Sequence, residues 1–417
     1  MGGQGAGDEK LTDIRPSALQ GRRVLELADE KGAYCGKLFA DMGADVIKIE
    51  RPGGDASRRS PPLWRGEGGS GESLSFLYTN TSKRAVTLDL EKAEGRELFV
   101  RLVETADVVL ETFPPGFLDE LGLGYGHLRR TNPALVFSSI TGFGQTGPQR
   151  GFRSSDLVAG ALGGALYVTG EADDPPVTLA GQQYYTVAGL CAASATMIAL
   201  LHASRVGRGQ HVDVSAEETT VSLSHICGIG KWLDDGIVPR RMGTALFASV
   251  PSGTYTCRDG LVYLMVNRPA HWKALAEWIH EECGIEEVMD PMFEGPSSRR
   301  LPHRELLDIF IRDLTARHSV EEIYHQGQQR HIAFTPVNGL AEVARDPQLA
   351  ARGYFVDLPH GNGVTLRFPG APYRCGETPW RVSRRAPAVG EHNAEIYGGE
   401  LGLSGIGLRE LEERGII

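Results

Sequence analysis

The first 140 residues alternate between two hydrophobic periods, and that alternation limits the fold more than any other feature. Short apolar runs at 23–27, 45–50, 85–90, 107–111 and 134–140 read as strands. Between them, 32–42 and 92–104 carry helical spacing, the second through Leu98, Leu102 and Val103. Gly43 stands where a helix C-cap is expected. Strand, helix and strand recurring every 20–30 residues predict a parallel sheet with crossover helices. Glu50, Glu111 and Ile140 each end a strand and are followed by Gly/Pro loops. Ligands of open α/β sheets sit outside such carboxyl ends.

The second half changes character. Residues 151–222 are rich in small side chains and read as helical, broken by a loop at 170–176. A short strand is expected at 211–214. A loop-rich transition at 240–253 leads to a hairpin at 254–266, with Asp259-Gly260 at its turn. Helices follow through 271–330, and 352–378 is extended. A last helix is expected at 408–414. The sequence therefore predicts an α/β protein: a large domain beginning at 18–225, a smaller α+β domain at 240–330, and a C-terminal segment at 335–417.

Composition removes several classes. The net charge is 43 − 53 = −10, and no Lys/Arg run exceeds two residues, so nucleic acid is not an expected partner. An anionic ligand would need local Arg and Lys against that global charge. Six cysteines lie far apart without a CxxC pair, which suits reduced thiols and a cytoplasmic protein. The N-terminus has no basic and apolar leader pattern. The most apolar stretch, 187–204, carries His202 and reads as a buried core helix rather than a membrane span.

Motifs narrow the field further. Gly142-x-Gly144-x-x-Gly147 follows a predicted strand, but Pro148 and not a helix comes next, so it reads as a flexible loop rather than an NAD site. His225 and Cys227 sit too close on one helix for a metal pair, and no metal site is expected. GxSxG, HExxH and Walker A patterns are absent from the sequence. Asp29-Glu30-Lys31-Gly32 follows the first strand. Asp29 suits an N-cap there, and the same loop suits ligand contact.

Six stretches together carry a family resemblance: 43–55, 80–90, 106–116, 138–148, 207–218 and 390–403. In order and spacing the chain resembles the family III (CaiB/BaiF-like) CoA-transferases, formyl-CoA transferase among them, from about residue 20 to the C-terminus. The resemblance implies a Rossmann-like large domain completed by the C-terminal segment, a small domain between, and an interlocked dimer. It implies coenzyme A and acyl-CoA as ligands, with a small carboxylic acid as acceptor. It places CoA contacts at Glu30, Lys31, Arg51, Leu88, Asp89, Leu90, Glu91, Thr112, Phe113, Pro114, Arg153 and Asp156. Glu120 stands where some members carry Arg.

One departure matters. In this family an Asp carboxylate attacks the thioester, forming an acyl anhydride and then an aspartyl-CoA thioester. The resemblance puts that position at Tyr185, and no Asp or Glu occurs from Pro175 to Val212. Tyrosine, with a reference pKa of ~10, is a poor nucleophile at neutral pH. Three explanations follow. A carboxylate from elsewhere can substitute: Asp156, Glu30, or Asp173 and Asp174. The chain can be the non-nucleophilic subunit of a heterodimer with an Asp-bearing paralogue, as in the benzylsuccinate branch, whose Asp-lacking subunit type is similar at 29–36; a homodimer is the other arrangement. Finally, the chemistry can be isomerase, racemase or lyase chemistry, although Ser155 stands where the racemase branch uses His. The stretch 242–253 also lacks the glycine run that covers the covalent intermediate in formyl-CoA transferase.

Overall fold

The computed structural model describes residues 15–66, 71–223, 229–246, 249–361 and 363–417. His225 and Cys227 lie outside the described residues. Two compact units emerge. One comprises Met1–Gly164, Leu179–His225 and Gly353–Ile417; the other comprises Ala165–Thr178 and Ile226–Arg352. The sequence boundaries at 240 and 330 therefore differ from unit breaks at 226 and 352.

The first unit is built on six strands: β1 (Arg23–Leu27), β2 (Asp45–Glu50), β3 (Arg84–Thr87), β4 (Val108–Glu111), β5 (Val136–Thr141) and β6 (His211–Ser215). They lie in the order β3-β2-β1-β4-β5-β6, every neighbouring pair parallel. This is the strand order of dinucleotide-binding folds, and the chain reverses direction across the sheet between β1 and β4. Strands buried on both faces explain the continuous apolar runs. Among the crossover helices are α1 (Ala33–Asp41), between β1 and β2, and α2 (Ala93–Val103), between β3 and β4. Gly43, at φ +93°, closes α1 as a left-handed turn.

The C-terminal segment returns to this unit. Ile396, Tyr397, Ile416 and Ile417 join Leu25, Ile47 and Phe99 in one core. The segment also satisfies the sheet's edge. Thr87 N–H donates to Asn393 Oδ1 (2.9 Å), Ala85 N–H to His392 Nδ1 (3.1 Å), and Asp89 N–H to Ile416 O (2.8 Å). The ladder of β3 accordingly stops at Thr87, short of the expected residue 90.

Two further helices bear on the site: α3 (Asp156–Leu162) and α4 (Gln183–Val206). The α4 helix is long and apolar enough to span a membrane by length and composition alone. It was expected to be buried, and only one face is. Tyr184, Tyr185, Ala188, Ala192 and Ala199 pack inward. Leu190, Ile198 and Leu201 remain at least half exposed in this chain. Gly189 allows close contact with α1, since a Cβ there would lie 3.3 Å from Tyr34 Cβ and Cys35 N.

The second unit has its own core. β7 (Ser252–Thr256) and β8 (Leu261–Met265) form the expected hairpin, and β9 (Ala333–Pro336) adds a third antiparallel strand. Helices α5 (Pro269–Cys283), α6 (Arg304–Ala316) and α7 (Val320–Gln329) supply Trp278, Leu307 and Ile323 to that core. Ser319 and Glu322 form a reciprocal capping box at the start of α7. Residues 165–178, read from sequence as part of the large domain, join this unit: Arg241 donates to the carbonyls of Glu171 and Asp174.

A buried charge cluster ties β1, β2 and the entry to β3. Lys83 Nζ lies 2.6 Å from Glu26 Oε2, and Lys48 Nζ 3.4 Å from Glu26 Oε1. Lys83 also donates to Ala33 O and Asn80 Oδ1, and Lys48 to Ala28 O. Gly36 of α1 makes room for it, because a Cβ there would stand 1.6 Å from Glu26 Oε2. Gly36→Ala is expected to cost about 3 kcal/mol or more in urea unfolding, by breaking a buried ion pair. Gly126→Ala, with open space around it, should be neutral or gain up to about 1 kcal/mol. Equal effects would remove the cluster's importance.

Candidate functional site

A cleft of about 1000 Å³ opens at the carboxyl ends of the central strands. The loop after β1 contributes Glu30 and Lys31, and the end of β2 contributes Arg51. Leu88, Asp89, Leu90 and Glu91 follow β3, and Thr112, Phe113 and Pro114 follow β4. Arg153 completes the wall beyond β5. Eleven positions expected from sequence thus meet at one cavity. Asp156 and Tyr185 do not line it. Glu120 ends a short helix, Phe117–Glu120, and is likewise not part of the wall. Asp173 and Asp174 belong to the second unit.

Local bonds explain this convergence. Asp29 N–H donates to Thr112 Oγ1 (2.9 Å), joining the ends of β1 and β4 where the topology switches. Asp29 does not cap α1 as expected: Gly32 is the N-cap, without a side-chain bond, and the Asp29 carboxylate pairs with Lys31. Glu50 holds Arg58 through both oxygens (2.5 and 2.7 Å) and accepts from Asp55 N–H, folding the loop back over the end of β2.

Charge is distributed unevenly. Arg51, Arg150 and Arg153 form no side-chain hydrogen bond or ion pair among the described residues, yet all three face the cleft. Sequence reasoning missed Arg150. It follows the Gly144–Gly147 turn, and an unpaired guanidinium has no local sequence signal. Both glycines have positive φ, +81° and +88°. The next helix starts only at Asp156, so the loop does not lead into a dinucleotide-type helix.

The first turn of α4 backs the cleft wall. Tyr185 is buried, and its hydroxyl donates to Ser154 Oγ (3.2 Å); Ser154 lines the cleft. Tyr185 N–H donates to Asp156 Oδ1 (2.8 Å). Burial pushes the Tyr185 phenol up to about 12, and Asp29, Glu30 and Asp156 add to that shift. Asp156 is shifted upward by burial, opposed by the backbone bonds it accepts. Burial, then Asp29, also raises Glu30. No other side chain among the described residues hydrogen-bonds or ion-pairs with Glu30, and its own backbone N–H opposes the shift.

The family assignment now follows. The profile described as CoA-transferase family III matches residues 19–393. The chain belongs to CoA-transferase family III. It is similar to the succinyl-CoA:(R)-benzylsuccinate CoA-transferase subunit BbsE of Thauera aromatica, 37% identical over 90% of this chain and 92% of that protein. It is 34% identical to a succinate–glutarate CoA-transferase of Agrobacterium fabrum, over 93% and 97%. Its structure resembles a CAIB/BAIF family protein from Brucella suis, with TM-score 0.81 and 32% identity, covering 92% of this chain and 100% of that one. This CoA-transferase therefore acts on CoA thioesters, and its Rossmann-like sheet is the family's.

Beside the cleft, Glu111 ends β4 with its carboxyl buried. Its Oε2 accepts from Phe113 N–H (2.6 Å), and Ser139 and His211 continue the polar row, 2.9 Å apart. Burial pushes Glu111 up to about 7. The folded chain then keeps this proton up to pH about 7, while the unfolded chain loses it near the ordinary glutamate value of 4.5. Stability must fall as pH rises through that window. Glu111→Gln removes the slope. Its advantage over wild type in chemical denaturation should grow from near zero at the acid end to about 3 kcal/mol at neutral pH. A pH-independent difference would contradict the assignment.

Proposed function

We propose that this family III CoA-transferase holds an acyl-CoA thioester in the switch-point cleft and serves as the non-nucleophilic half of a two-subunit transferase. The partner is a paralogous chain carrying the Asp, and together they move CoA between a thioester and a small carboxylic acid. One observation carries the reading: the start of α4 offers no free nucleophile. The Tyr185 phenol is buried, hydrogen-bonded and raised. The nearest carboxylate, Asp156, is engaged by Tyr185 N–H.

Other features support it. Arg51, Arg150 and Arg153 offer guanidinium groups to the phosphates of CoA, for which Arg suits better than Lys through bidentate geometry. The half-exposed apolar face of α4 suits coverage by another chain. Succinyl or succinate recurs in the names of several relatives, BbsE's being that of a subunit. Succinyl-CoA is accordingly the donor we propose, and the cytoplasm the compartment.

A second reading rests on Glu30, a cleft-lining carboxyl without a side-chain partner among the described residues, acting as a replacement nucleophile. Intact-protein mass spectrometry with succinyl-CoA separates the two. We expect no covalent adduct on this chain alone, and an adduct on the Asp-bearing paralogue when the two are co-purified. An adduct on this chain that disappears in Glu30→Gln would favour the second reading instead. For binding, Arg51→Ala should weaken CoA roughly 10- to 150-fold in calorimetry, the loss of a charged hydrogen bond. Unchanged affinity would reject Arg51 as a phosphate ligand.

A further inference from the structure

The position without a nucleophile is not vacant of chemistry. Tyr185 Oη donates to Ser154 Oγ at 3.2 Å, which uses the phenol's proton and leaves the serine's own proton available. Among the described residues the competing acceptor for that proton is Ser155 O, 3.4 Å away and therefore weak. Ser154 lines the cleft, and its place there is built. A Cβ on Gly142 would come within 2.3 Å of Ser154 Cβ, so the glycine after β5 is what lets the serine sit at the wall. Behind it, Asp156 fixes Tyr185 through its backbone N–H, and the ring is 3% exposed. Burial leaves the Tyr185 phenol protonated across the physiological range, so it is a permanent donor.

We infer that Ser154, with Tyr185 behind it as a positioning residue, donates a hydrogen bond to the carbonyl oxygen of the bound acyl-CoA thioester. This rests on the proposal that the cleft holds acyl-CoA, and deepens it. A chain of two hydroxyls polarises more strongly than one, because each bond strengthens the next. No bond is made or broken in this chain. The site reads the acyl group: a thioester carbonyl accepts a hydrogen bond, whereas the thiol of free CoA is a poor acceptor. The chain thereby favours loaded over unloaded CoA.

The test compares succinyl-CoA with CoA by calorimetry, and follows the infrared band of a ¹³C-labelled thioester carbonyl. Ser154→Ala should weaken succinyl-CoA about 3- to 10-fold while leaving CoA unchanged, the worth of one neutral hydrogen bond. The carbonyl band should move to lower wavenumber on binding to wild type and not on binding to Ser154→Ala. Tyr185→Phe, which keeps the ring's packing, should give a smaller shift in the same direction. If both variants bind with the wild-type ratio and band position, the hydrogen bond does not exist. If wild type holds neither ligand, the cleft is not a CoA site, and the inference falls with that reading.

Discussion

Two lysines and one glutamate, taken out of water together, set the geometry on which the cleft depends. Glu26, Lys48 and Lys83 are each no more than 1% exposed. Buried charges are tolerated only when paired and fully bonded. Here each lysine also donates to a backbone carbonyl at one end of the turn between β1 and α1, Lys48 to Ala28 O and Lys83 to Ala33 O, the first residue of α1. That turn carries Asp29, Glu30 and Lys31. The cluster therefore connects the strand register, Glu26 opposite Lys48, to the loop that lines the site. Burial lowers the Lys83 pKa to about 8 even beside Glu26, which shows how strongly desolvation opposes the arrangement.

From that floor the site follows by topology. Neighbouring strands leave β1 and β4 in opposite directions, so their loops part and a crevice opens between them. The Asp29–Thr112 bond keeps its base closed. The walls then hold unpaired arginines and, at one side, a serine backed by a buried tyrosine. At that side the structure places two hydroxyls in contact, Tyr185 and Ser154. On the reading proposed above they bind and polarise a thioester rather than attack it.

Much of this was legible in the sequence. The alternation of strand and helix patterns located the parallel sheet. The family resemblance located eleven cleft residues, because loops after consecutive parallel strands must share one edge. Other features were not legible. The bond from Tyr185 N–H to Asp156 at the start of α4 joins residues 29 apart. The participation of 165–178 in the second unit depends on Arg241, about 70 residues away. The extent of α4's burial could not be read either, since its apolar residues occur on both faces and carry no amphipathic signal.

What the sequence determined by itself was the strand order's raw material, the family, and a stretch around Tyr185 without Asp or Glu. Each of these is a matter of residue identity and local period. Only the tertiary structure decided that Tyr185 faces Ser154 rather than the cleft directly, that Asp156 is occupied, and that Arg150 joins Arg51 and Arg153. Those outcomes depend on distances between residues far apart in the chain. Packing fixes such distances, and no local pattern encodes them.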